Sequence, residues 1–349
     1  MILVKRLRTL TKSLQSFGAI VILIILVIGV TIAQPGFVAF GNLMNILSQW
    51  APVGIMGIGM TYVVIAGGFD LAVGATYALT AVTAATVGQH YPPLVAFAAA
   101  IAVGLVVGAA NGVIVTWLRV NPFIATLGSS LAISGITLVL TGNAAVVVNN
   151  ASFGVLGADR WAGIPYSGIL VVVLFVVFGL VLTYTPFGQA IFAVGGNVTA
   201  SRLAGIRTKK ITSSSYVISG MCAGVAGCIT SSQLSSAQAT VDPNLVFNVL
   251  TIVILGGTAL GGGRGAIWRT AIGTGILATL QNGFNLLNIN PYYQDIIQGA
   301  VIVAASSSID WSRLSRRSSA EERTVSGGGG EGHDNSVNRG EENAIASIN

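Results

Sequence analysis

Apolar residues run through this chain in long blocks separated by short polar breaks. A helix crossing about 30 Å of hydrocarbon needs roughly 20 largely apolar residues. Ten blocks approach that scale: Phe17 to Ala33, Ala51 to Gly67, Leu71 to Gly88, Leu94 to Trp117, Pro122 to Thr141, Pro165 to Tyr184, Ile211 to Ser232, Leu245 to Leu260, Ala266 to Leu287 and Tyr293 to Ile309. The second, third and eighth are short and weakly bounded, which leaves counts of eight or nine open. The pattern predicts an all-α polytopic membrane protein of about ten transmembrane helices. Residues 1–16 read as a cytoplasmic N-terminal segment and 17–312 as the membrane domain. After Trp311 the apolar periodicity ends in a Ser-, Glu- and Gly-rich stretch, so 313–349 is predicted to be a disordered cytoplasmic tail.

Charge sharpens this picture. Only 8% of the 349 residues are charged, where a soluble protein carries about a quarter, and mean hydropathy is +0.80. An ordinary soluble enzyme is excluded. If the amino terminus is inside and ten spans follow, Arg160 alone of the 17 Lys and Arg residues falls outside. The net charge of +6 then reports topology rather than affinity for nucleic acid. The basic N-terminus followed by an apolar run resembles a cleaved signal peptide, but the charge balance holds only if it stays as the first helix.

Chemistry-bearing residues are sparse. Cys222 and Cys228, six apart in a stretch with Gly224 and Gly227, read as small residues in helix packing. His90 sits beside Tyr91-Pro92-Pro93 at a span end, and His333 lies in the tail. No catalytic or metal site is predicted, and no lysine follows a glycine, so the chain has no P-loop and is not itself an ATPase. Gly104, Gly108 and Gly112 carry overlapping GxxxG spacing, which suits close helix packing. The run Leu255 to Gly265 reads as a tight cytoplasmic turn, with Arg264 at the lipid headgroups. Asp70, in IAGGFDLAVG, has two readings: a polar turn that caps the next helix, or an unwound helix end near a solute path. The loop from Thr185 to Lys210 is amphipathic. From Asn197 onward it suits a short helix capped by Asn197 and ended at Gly205, rich enough in small residues to dock in a groove on another protein.

Several motifs then occur in order: GNLMNIL at Gly41 to Leu47, GGFDLAVG at Gly67 to Gly74, NPFIATLGS at Asn121 to Ser129, TPFGQAIFAVGGN at Thr185 to Asn197, ILGGTALGGGRG at Ile254 to Gly265 and NGFNLL at Asn282 to Leu287. With them, the chain resembles the permease subunits of bacterial ABC sugar importers of the ribose, xylose and arabinose type. The resemblance implies an inner-membrane homodimer that moves a monosaccharide by alternating access. It also implies a separate ATPase subunit that uses ATP, and a periplasmic or lipid-anchored sugar-binding protein. No cofactor is expected on this chain, and its surroundings are membrane lipid rather than nucleic acid. Gly188, Gly195, Gly196, Asn197, Ser201, Arg202 and Gly205 would couple it to the ATPase. Asp70, Gln281, Asn282 and Asn285 are the polar groups expected to reach the solute path. Competing readings are the same importer class for a polyol, nucleoside or signalling furanose, and a stand-alone secondary transporter. The chain departs from the resemblance at Val246 and Asn248, where relatives carry acidic residues, and at Trp268-Arg269-Thr270, where they commonly have a small residue. Ser201 replaces a usual alanine.

Overall fold

The computed structural model describes residues 2–290, 292–294, 296–297 and 299–300, with side chains from residue 18 onward. The chain divides into two units, Met1–Ser306 and Ser307–Asn349, and every described residue belongs to the first. Most of the tenth apolar block, with Asp295 and Asp310, lies outside the described residues, as do the tail and His333.

Among the described residues, eleven α-helices are fully bounded in the first unit: α1 (Ile2–Ala33), α2 (Phe40–Ile65), α3 (Val73–Gly88), α4 (Pro93–Thr116), α5 (Pro122–Thr141), α6 (Tyr166–Tyr184), α7 (Pro186–Gly196), α8 (Val198–Leu203), α9 (Thr208–Leu234), α10 (Asn244–Leu255) and α11 (Ile267–Leu286). The first nine predicted blocks each fall on a helix. Among the described residues, α2, α4, α5, α6 and α9 are long and apolar enough to cross a membrane. Starts follow the local chemistry: Asn121 accepts from the Phe123 N–H ahead of Pro122, and Thr185 accepts from the Gly188 N–H ahead of Pro186.

Three boundaries differ from expectation. The N-terminal segment is helical from Ile2. Helix α2 starts at Phe40 rather than Ala51 and runs straight through Pro52. Proline there removes the N–H that would have met the Ser48 carbonyl four residues back. The Gln233 side chain on α9 supplies the missing donor, 3.0 Å from Ser48 O, the substitution a low-dielectric interior demands. Helix α10 ends at Leu255, five residues early, where the glycines begin.

Helices α2 and α9 form the buried centre, and α4, α5 and α6 turn most of their surface outward. The GxxxG reading of α4 holds in atomic detail. A methyl at Gly104 would strike Gly220 O, one at Gly108 would strike Tyr216 O, and one at Gly112 would meet Ser213. Backbone therefore touches backbone along α4 and α9. Cys222 and Cys228 are buried free thiols in the same helix.

Interhelical segments gather on two opposite faces. On the first, β1 (Val146–Val147) pairs antiparallel with β4 (Ser236–Ala237), and β2 (Arg160–Trp161) with β3 (Ile164–Pro165). A short 3-10 turn there drives Phe153 to full burial, its carbonyl accepting from Ser232 Oγ at 2.6 Å. His90 is exposed on this face, beside Tyr91 and Asn150. The second face is the candidate site.

Candidate functional site

At the second face three chain segments meet through their backbones. Helix α2 ends at Ile65, and Gly67, at φ +86°, turns the chain in a conformation that side chains disfavour. The carbonyl of Ile65 accepts from Gly263 N at 2.8 Å. A methyl at Gly195 would collide with that same carbonyl and come within 2.6 Å of Gly263 N; one at Gly262 would be 2.8 Å from Gly195 O and 3.0 Å from Gly67 Cα. The end of α2, the end of α7 and the α10–α11 turn thus form a junction in which only glycine fits. The glycine-rich run is a turn, as expected, and it is wedged against α2 and α7.

The next residues, Gly68 to Ala72, are held by the helices around them. Phe69 O accepts from Tyr216 Oη at 3.0 Å. Asp70 is 3% exposed; its Oδ2 accepts from Ser219 Oγ at 2.6 Å and its Oδ1 from Ala72 N at 3.1 Å. The carboxylate is fully engaged within the protein, folding the two residues ahead of α3 and tying them to α9.

The loop from Thr185 to Lys210 contains two helices. The first, α7, is the root: Ile191 and Val194 are buried, Phe187 stacks on Tyr62 at 6.4 Å between centroids, and a methyl at Gly188 would strike Leu182 O at the end of α6. Pro186 after a capping threonine, followed by apolar residues at 187, 191 and 194, was the available signal for this helix. The second, α8, is the tip. Asn197 caps it as expected, accepting from Ala200 N at 2.9 Å. It ends at Leu203, with Gly205 turning the chain two residues on at φ +82°. From Gly196 to Gly205 only Ser201 is buried, and Leu203 is 85% exposed; Arg202 is exposed beside it.

Of the polar residues expected along a solute path, Gln281, Asn282 and Asn285 share the end of α11, and Asp70 lies apart from them. Asn282 and Asn42 exchange side-chain hydrogen bonds at 2.9 and 3.1 Å, Gln294 donates to Asn285 at 3.3 Å, and Gln281 lines a small cavity with Trp50 and Phe284. Asn42 is in the first turn of α2, whereas Asp70 is bonded to Ser219, which packs against Gly59, about 26 Å further along that helix at 1.5 Å per residue. Asn42, Ser219 and Tyr216 were not singled out from the sequence, because their partners are more than a hundred residues away.

Apolar helices around two buried ones, with polar connections on two faces and an exposed helical tip rooted in one of them, define a polytopic helical membrane protein. The chain belongs to the family described as branched-chain amino acid transport system / permease component, whose profile matches residues 42–306. It is similar to the ribose import permease protein RbsC of Escherichia coli (strain K12), 41% identical over 85% of this chain and 95% of that one. RbsC of Bacillus subtilis is 39% identical (84% and 92%), and the L-arabinose transport system permease protein AraH of Escherichia coli 33% (83% and 89%). No solved structure matches. The chain is thus a transport component rather than an enzyme, a multi-pass protein of the inner membrane.

Proposed function

We propose that this chain is the transmembrane subunit of an ATP-driven importer of a monosaccharide, pentose or hexose. The observation that carries this reading is the identity shared with a ribose import permease across 95% of its length. Two copies form the pathway, each with ten spans and both termini cytoplasmic. A sugar-binding protein delivers solute at the face that carries Arg160, and the ATPase docks at the other. This sidedness draws support from the arginines, since Arg202, Arg207 and Arg264 all belong to segments of the second face.

Helix α8 enters the ATPase, and α7 carries its movement to the junction with α2 and the α10–α11 turn. Because Gly195, Ile65 and Gly263 touch through backbone, a displacement of α8 has no soft side chain to absorb it. Closure of the ATPase then biases the bundle between its two facing states. Asp70 braces the junction, and the Asn42–Asn282 pair belongs to the opposite mouth.

Arg202→Glu tests the docking. The side chain is exposed, so the melting temperature stays as in wild type, while ATPase recovered by co-purification falls about tenfold through charge reversal at the contact. Full recovery together with intact solute-stimulated hydrolysis would remove α8 from the contact.

A further inference from the structure

Among the described residues two buried side-chain polar atoms lack a hydrogen-bond partner, Thr258 Oγ1 and Arg269 Nε. Both border the turn between α10 and α11. A methyl at Gly257 would come 3.7 Å from the Arg269 Nη1, and one at Gly265 2.8 Å from Thr258 Cγ2. Arg269 projects its guanidinium over the Trp268 ring, 5.2 Å from the centroid, so an indole that is 48% exposed holds the fork in one orientation. Arg264 is exposed in the same turn.

The described carboxylates do not neutralise these arginines. Asp70 is closed on Ser219 and Ala72. Asp159 precedes β2 on the opposite face, and Asp242 accepts from Asn244 N at the start of α10, the far end of that helix from the turn. Helix α11 also begins without a side-chain cap, since Ala266 offers no acceptor to its first N–H groups. Two cations, a buried hydroxyl and an uncapped helix start are therefore all carried by this turn and the first residues of α11, and an unpartnered buried polar group is costly unless something pairs with it. A half-exposed tryptophan beside an arginine is also the pairing found where a helix leaves the bilayer.

We propose that Arg269, Arg264 and Thr258 form a binding site for a phosphate group, supplied by an anionic phospholipid headgroup or by free phosphate. The guanidinium fork matches two phosphate oxygens, Thr258 donates to a third, and the uncapped N–H groups of α11 favour the negative charge. The ligand spans the turn that also contacts α7 through Gly262 and Gly263, so its occupancy braces the junction. The site requires a membrane-embedded chain but does not depend on which solute is carried.

The test uses the full chain in a neutral, phosphate-free detergent. Thermal unfolding is followed while phosphatidylglycerol, diacylglycerol or inorganic phosphate is titrated. Phosphatidylglycerol protects the wild type, and diacylglycerol, which lacks the phosphate, does not. Arg269→Gln raises the half-protecting concentration about tenfold; Arg269→Lys, which keeps the charge and loses the fork, falls between. Thr258→Val raises it about threefold, as expected for one lost hydrogen bond. Protection by millimolar inorganic phosphate that Arg269→Gln abolishes identifies the soluble source, and protection by the lipid alone identifies the headgroup. Equal protection by diacylglycerol, or unchanged midpoints in Arg269→Gln, would overturn the proposal. If Arg269→Gln does not fold, unchanged midpoints in both Thr258→Val and Arg264→Gln would overturn it equally.

Discussion

Gly195→Ala is expected to lower the melting temperature sharply and to abolish ATP-driven uptake, whereas Gly196→Ala, one residue along, leaves the melting temperature unchanged. The difference lies in what each added methyl meets. At Gly195 it collides with the Ile65 carbonyl and comes within 2.6 Å of Gly263 N. Both obstacles are backbone, so no rotamer change relieves them, and the Gly263 N to Ile65 O hydrogen bond is forced open. Overpacking of this kind costs about 3 kcal/mol, the upper end for an inserted methyl, with a buried hydrogen bond lost in addition. At Gly196 a methyl meets nothing within 4 Å. Fluorescence-monitored melts of the two variants, side by side, check the pair. Equal melting temperatures would show that α7 does not abut α2 as described.

The second large effect is expected at the α4–α9 contact. In Gly220→Ala the added methyl strikes Gly104 O and approaches Gly108 Cα to 2.9 Å. Since α9 is one of the two central helices, the separation it forces is passed to α2 and α3 as well. A loss of about 2–3 kcal/mol follows. Gly128→Ala and Gly135→Ala on α5 are the controls; neither methyl meets an atom within 4 Å, and changes within about 0.5 kcal/mol are expected, as for sites away from packing. Detergent melts and expression yield of the wild type and these three variants give the comparison.

Both predictions concern glycines, and they mark how far the sequence was legible. The helical blocks and the GxxxG spacing were readable because each is a local or single-helix property. Asn197 as a cap was readable for the same reason. The Gly195–Ile65–Gly263 junction was not, since it joins segments about 70 to 200 residues apart through backbone atoms, and a glycine does not reveal which backbone it will meet. Pro52 hid the true start of α2, because a proline ordinarily marks a boundary and the Gln233 donor that rescues Ser48 comes from another helix. The path residues illustrate a further limit. Asp70 and Asn282 are both polar residues in apolar surroundings, and nothing in the sequence says that they lie toward opposite ends of α2.

The account turns on transport driven by a separate ATPase through α8 and α7. The most direct test is uptake of radiolabelled ribose and arabinose into proteoliposomes holding this chain with its ATPase, the sugar-binding protein and ATP supplied on the appropriate sides. The account predicts accumulation that requires all three additions and disappears in Gly195→Ala. Uptake by the chain alone under an ion gradient, with neither ATP nor ATPase, would contradict it.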